Sequence, residues 1–281
     1  MSRTCVFFHA HPDDEALFTG GTMARLSCEG HRVVLVVATA GGNGLSATRP
    51  GSENLDQVRL RELAASAKAL GCARVEVLGY ADSGLDGTAV PGPGQVAFCR
   101  SDVDEAAHRL ADRLRTERAD LLTVYDPAGG YGHPDHVHVH RVGVRAAELA
   151  CTPTVLEATV DRELLLRALR LVGRVYRFPP GFDVERFAHL FASRTEITHR
   201  IDVRRYAAAK RASLAAHASQ ATGGDSIRTL AALRRLPGPL FRLVLGTEWY
   251  VRRDVASGSA FTHPLDQVPT QSAAPPGLSA R

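Results

Sequence analysis

The sequence predicts an α/β fold, a Rossmann-like and largely parallel sheet with helices on both faces. Apolar, β-rich runs alternate with stretches of helical period through the first 160 of 281 residues, the βαβα order from which parallel sheets are built. The run HRVVLVVAT (31–39) is apolar almost without a break, as a strand covered on both faces must be. Polar clusters follow the first four strand candidates, where open α/β sheets hold their ligands.

TCVFFHA (4–10) reads as the first strand, and EALFTGGTMARLSCEG (15–30) as the helix that follows. HRVVLVVAT is the second strand. ENLDQVRLRELAASAKALG (53–71) is helical, with Gly71 as a C-cap. RVEVLGY (74–80) is the third strand. DVDEAAHRLADRLRTER (102–118) forms a helix with Ser101 as its N-cap, and ADLLTVYDP (119–127) a fourth strand. A helix over 135–150 leads into a strand at 152–160. The second half is less regular: a helix at 161–173, a turn-rich FPPGFD (178–183), an edge strand at 195–203, and a helix at 202–220. A glycine break, a short helix near 225–235 and a last strand at 245–254 complete it. One domain over 1–255 is expected, and the Pro/Ser/Ala-rich 256–281 is read as a disordered tail.

Formal net charge is +4, and two lysines among 34 basic residues leave 32 arginines. They are spread too evenly for a nucleic-acid footprint; RLRTER (113–118) and RRYAAAKR (204–211) read as solvated helix faces. Five scattered cysteines without a CxxC pair exclude a disulfide framework; Cys5 reads as a small core residue. No run is long and apolar enough to span a bilayer, and no signal peptide is visible. A cytoplasmic location is expected. Nothing in the sequence sets an oligomeric state, so a homo-oligomer stays open.

The four polar clusters are HPDDE (11–15), TAGGNG (39–44), YADSG (80–84) and YDPAGGYGHPDH (125–136). HPDDE puts three carboxylates in a row at a strand end, where burial is costly unless a cation lies among them. A catalytic zinc site needs three protein ligands and an open position. His11, Asp14 and one histidine of HPDH (133–136) meet that need. Asp13 is then free to take a proton from a water whose pKa zinc lowers to about 7. Alone, HPDDE also fits a proline turn with acids at a helix N-terminus; a second histidine motif at another strand end argues for the metal.

The pair HPDDE and HPDH resembles the LmbE-like, or PIG-L, family of zinc-dependent de-N-acetylases. GGYGHPDHVHVH (129–140), RLREL (59–63), YADSG (80–84) and LAAHASQ (214–220) resemble the branch that deacetylates N-acetylglucosaminyl-inositol in mycothiol synthesis. The resemblance spans most of residues 4–250. It implies His11, Asp14 and His136 as metal ligands and Asp13 as general base. It implies His133 as oxyanion stabiliser, Asp135 as the group that orients it, and Tyr131 as a mobile hydroxyl over the site. Arg59 and Asp82 match positions that hold sugar or inositol hydroxyls. Zn2+ is the implied cofactor, and Fe2+ suits the same ligands.

Other histidines read differently. His138 and His140 are taken as helix-face residues near the site, His9 as second-layer or core, His217 as a rim residue. TAGGNG lacks GxGxxG spacing, and Gly42 stands where many relatives carry glutamate. The expected activity is hydrolysis of an N-acetyl group from an N-acetylglucosaminyl-type substrate, an inositol conjugate or a glycosylated natural product. Two alternatives stand beside it. A mycothiol S-conjugate amidase of the same family is disfavoured because ALFTGG after HPDDE lacks a lysine. A non-catalytic sugar- or nucleotide-binding α/β module would have no use for a spare base.

Overall fold

A computed structural model describes residues 2–42, 55–177, 183–221 and 229–269. The end of TAGGNG, most of FPPGFD, the 222–228 break and the last twelve residues lie outside the described residues.

Seven strands form one sheet in the order β3-β2-β1-β4-β5-β7-β6. These are β1 (Thr4–His9), β2 (Arg32–Thr39), β3 (Arg74–Tyr80), β4 (Leu121–Tyr125), β5 (Val155–Thr159), β6 (His199–Asp202) and β7 (Thr247–Val251). The first five pair in parallel. β7 joins β5 antiparallel, and β6 closes the edge antiparallel to β7. The expected edge strand is therefore shorter than the 195–203 apolar pattern.

Both faces of the central strands are apolar, and period two divides them. Val6, Phe8, Val34, Val36, Leu122 and Val124 pack under helices α4 (Val103–Glu117) and α5 (Pro134–Ala150). Cys5, Phe7, Val33, Leu35 and Val37 pack under α2 (Gly20–Cys28) and α3 (Leu55–Leu70). Gly143 lets α5 press onto β4, since a Cβ there would lie 2.3 Å from Val124 Cγ1.

The predicted helix at 15–30 is two: α1 (Asp14–Phe18), then α2 after a break at Thr19. Thr19 Oγ1 is drawn 2.8 Å from His9 Nε2, and Glu248 on β7 takes the Gly21 and Thr22 N–H groups at 2.8 Å each. That carboxylate caps α2 and pairs with Lys210 Nζ at 2.5 Å, both side chains 2% exposed. Lys210 lies in the stretch expected to be a solvated face, so that expectation fails at this residue. α4 is capped by Asp102, whose carboxylate accepts Glu105 N–H at 2.9 Å; Ser101, the expected cap, bonds His138 instead. Gly71 does end α3, at φ 74.

The rest comprises α6 (Arg162–Val172), α7 (Ala207–Ala216), α8 (Ala218–Ala221), α9 (Thr229–Arg235) and α10 (Gly238–Leu245). The tail is a correction in its first half. Phe261 extends the sheet edge through Thr198 and Arg200, Val268 enters the core, and Arg252 Nη1 donates to the carbonyls of Asp266 and Gln267. Composition suggested disorder, but a few apolar residues and buried arginine donors suffice to dock 256–269.

Candidate active site

The strand order reverses between β1 and β4, the switch point where open α/β sheets form their crevice. HPDDE leaves β1 and HPDH follows β4, so both motifs meet there. The turn of HPDDE is sharp: Asp13 adopts φ 105, ψ −26. The second motif begins a helix, with His133 as the N-cap and Pro134 in the first turn of α5. Gly129 permits the preceding loop; its φ is +65, and a Cβ would lie 2.6 Å from the Val137 nitrogen.

Asp14 Oδ2 lies 3.3 Å from His11 Nδ1 and 3.3 Å from His136 Nε2, so the three expected ligands come together. His11, His133 and His136 also bring ring nitrogens within 4.8 Å of one another, as do His11, Asp82 and Asp135 with one atom each. All of these residues are buried. His136 is fully buried, yet neither ring nitrogen has a hydrogen-bond partner, a costly state for an imidazole. Its ring stacks on Tyr125 at 4.2 Å and 9°. Burial alone would lower the His11 pKa, but hydrogen bonds to Asp135, Asp14 and Asp82 hold it well above the usual range. Burial would likewise raise Asp14, whereas His136 and His11 hold it well below. Orphaned imidazole nitrogens beside convergent carboxylates are a donor set suited to a divalent transition metal.

Asp13 stands beside this set. Burial pushes its carboxyl up to about 6, against the pull of Arg59, whose Nη2 lies 3.4 Å from Asp13 Oδ2. Arg59 itself is 2% exposed. It donates to the Gly41 carbonyl at 2.6 Å and to the Pro12 carbonyl, so it braces the HPDDE turn. Asp82 lies 3.5 Å from His11 Nε2 and accepts Gly84 N–H at 2.9 Å.

His133 Nδ1 accepts the Asp135 backbone N–H at 3.1 Å. Burial, with His11 and His136 nearby, pulls its pKa to about 4, so the ring is neutral and its proton sits on Nε2. It is the backbone of Asp135 that orients His133. The carboxylate instead takes Ser83 N–H, Ser83 Oγ, Cys99 N–H and His11 Nε2, the last at 3.0 Å. Tyr131 is 37% exposed, 4.9 Å from His136 and 6.1 Å from His133 between ring centroids. A cleft of about 230 Å³ opens beside it, lined by Leu85, Tyr131, His133, Arg186, Phe187 and Leu190 among others.

The remaining histidines are structural neighbours. His9 has both nitrogens engaged, by Tyr125 Oη at 2.9 Å and Thr19 Oγ1. His138 bonds Ser101, and His140 bonds the Tyr125 carbonyl. A Cβ on Gly42 would lie 2.3 Å from Asp56 Oδ1, so a side chain there would require the Asp56 carboxylate to move aside. His217, read as a rim residue, is fully buried and bonds Glu15 at 2.6 Å. Only LAAHASQ hinted at it. The 183–190 wall of the cleft carried no sequence signal.

The profile of the PIG-L family, described as GlcNAc-PI de-N-acetylase, matches residues 6–147. A 1D-myo-inositol 2-acetamido-2-deoxy-alpha-D-glucopyranoside deacetylase of Acidothermus cellulolyticus is 35% identical over 276 residues, covering 89% of each chain. A protein of the same name from Catenulispora acidiphila is 45% identical over 165 residues, 54% of this chain and 50% of its own. The solved N,N'-diacetylchitobiose deacetylase of Pyrococcus horikoshii shares the fold at TM-score 0.59 and 18% identity, over 89% of this chain and 84% of that one. By profile and by identity along most of its length, the chain belongs to the PIG-L family of de-N-acetylases.

Proposed function

We propose that the chain hydrolyses the N-acetyl group of an N-acetylglucosaminyl substrate, such as an N-acetylglucosaminyl-inositol or a glycosylated natural product, with Zn2+ held by His11, Asp14 and His136. The observation that carries this reading is His136, buried with neither ring nitrogen hydrogen-bonded and its Nε2 3.3 Å from Asp14 Oδ2, while Asp13 remains outside the ligand set. The relatives named for an acetamido-glucopyranosyl inositol supply the substrate class.

A divalent ion held by His11, Asp14 and His136 would supply Lewis acidity, toward the amide carbonyl and toward a water made nucleophilic at neutral pH. Asp13 accepts the proton of the attacking water and returns it to the departing amine. A carboxyl raised toward neutrality suits both transfers. His133, neutral with Nε2–H as donor, stabilises the amide oxygen as it gains charge. Asp135 holds that tautomer through its backbone N–H. Tyr131 adds a hydroxyl from the glycine loop. Asp82 and Arg59 border the sugar; Arg59 acts mainly by fixing Pro12 and Asp13. All five cysteines are free, which accords with a reducing cytoplasm, and no helix among the described residues is long and apolar enough to cross a membrane.

The test is acetate release from N-acetylglucosaminides of different aglycone by zinc-loaded and iron-loaded protein, with metal content measured alongside. Asp13→Ala is expected to keep the metal and lose about 10²–10⁴ in kcat. Normal turnover in that variant would remove Asp13 from the mechanism. Ligand binding without acetate release would favour the non-catalytic module.

A further inference from the structure

Asp13 is held in a backbone conformation that L residues rarely adopt. The helix it begins, α1, has only five residues, too few to hold its own geometry. Something outside α1 must hold the turn. Asp13 N–H donates to Glu15 Oε2 at 3.0 Å. The other oxygen of Glu15 takes Ser66 Oγ at 2.5 Å and His217 Nε2 at 2.6 Å. Ser66 Oγ lies 2.7 Å from Ser213 Oγ. Glu15, Ser66, Ser213 and His217 are each fully buried. Helix α3, helix α7 and the α7–α8 junction thus converge on one carboxylate two residues from the base.

We infer that Glu15 and His217 are positioning residues for Asp13: through the Asp13 peptide N–H they hold its carboxylate at the reacting centre. This rests on Asp13 being the general base. His217 has no place among the metal ligands, and among the described residues its ring hydrogen-bonds Glu15 alone, through Nε2. Short, charge-assisted contacts of this length are strong and directional. Without the His217 donor, Glu15 can rotate, the Asp13 peptide follows, and the carboxylate leaves its productive position, where small displacements are costly.

The experiment compares His217→Leu, His217→Gln and Ser66→Ala in the whole protein, in wild-type and Asp13→Ala backgrounds, with kcat expressed per bound metal. His217→Leu is expected to lower kcat about 10–100-fold with little change in KM. His217→Gln, which keeps a donor, should recover most of it. In the Asp13→Ala background, His217→Leu should leave residual turnover unchanged, because it acts through Asp13. An equal drop in both backgrounds, or none in either, overturns the positioning role while leaving the base intact. A fully active Asp13→Ala protein overturns both. If His217→Leu does not fold, Ser66→Ala removes the second donor by one atom; an unchanged kcat there overturns the role as well.

Discussion

Asp13 lies at φ 105, ψ −26, whereas Arg118, Cys151, Phe191 and Gln267 sit between φ 50 and 61. Those four fall near the left-handed basin that L residues reach at modest cost; Asp13 lies beyond it. Such a conformation costs about 1–3 kcal/mol for a residue with a Cβ and nothing comparable for glycine. Asp13→Ala and Asp13→Gly both delete the carboxylate and its contact with Arg59, so those effects cancel between them. What differs is the relieved strain less the extra chain entropy of glycine, about 0.5–1 kcal/mol. Asp13→Gly should therefore be more stable than Asp13→Ala by about 1 kcal/mol, although both should lose most of their turnover. Ala65→Gly on the exposed face of α3 should show the opposite sign, about 1 kcal/mol of loss. Urea unfolding in chelator, fitted with a common m-value, measures all three differences. An Asp13→Ala protein as stable as Asp13→Gly, or more so, would show that the turn is unstrained and that nothing is needed to hold it.

Two further outcomes concern stability. Glu248→Gln strands the Lys210 ammonium in the core and should cost about 3–5 kcal/mol. Lys210→Met leaves Glu248 its two backbone donors and the Tyr250 hydroxyl, so it should cost less, about 1–2 kcal/mol; the reverse order in urea melts would refute the cap. His199 is fully buried, and burial lowers its pKa from 6.5 to about 4. A depressed histidine stabilises the fold fully above pH 6.5, and that stability drains away as pH falls toward 4. His199→Gln should accordingly remove about 2 kcal/mol of the loss between pH 7 and pH 5, read as the difference between the two proteins' unfolding free energies at those pH values. Parallel pH curves for both proteins would contradict it.

Much of the candidate site was legible because it is local. HPDDE and HPDH between them pack the proposed ligands, the proposed base and the turn chemistry into nine residues, and proline with strand-end placement fixes where they point. The neutral state of His133 could not be read, since it depends on three-dimensional burial and on two other imidazoles. Nor could the partners of the Asp135 carboxylate, which come from Ser83 and Cys99. Nor could the bonds of Arg59 to the carbonyls of Gly41 and Pro12, which join segments far apart in the chain.

By itself the sequence determined the parallel core, the two motifs at strand ends, and the chemistry those residue types support. Those features follow from short-range periodicity and from side-chain chemistry, which need no partner to be read. Tertiary structure alone decided that β7 and β6 would close the sheet antiparallel, that residues 256–269 would dock, and that His217, 202 residues from Glu15, would bond it. These depend on contacts between distant segments, where burial gives a hydrogen bond its strength and no local pattern records which donor will arrive.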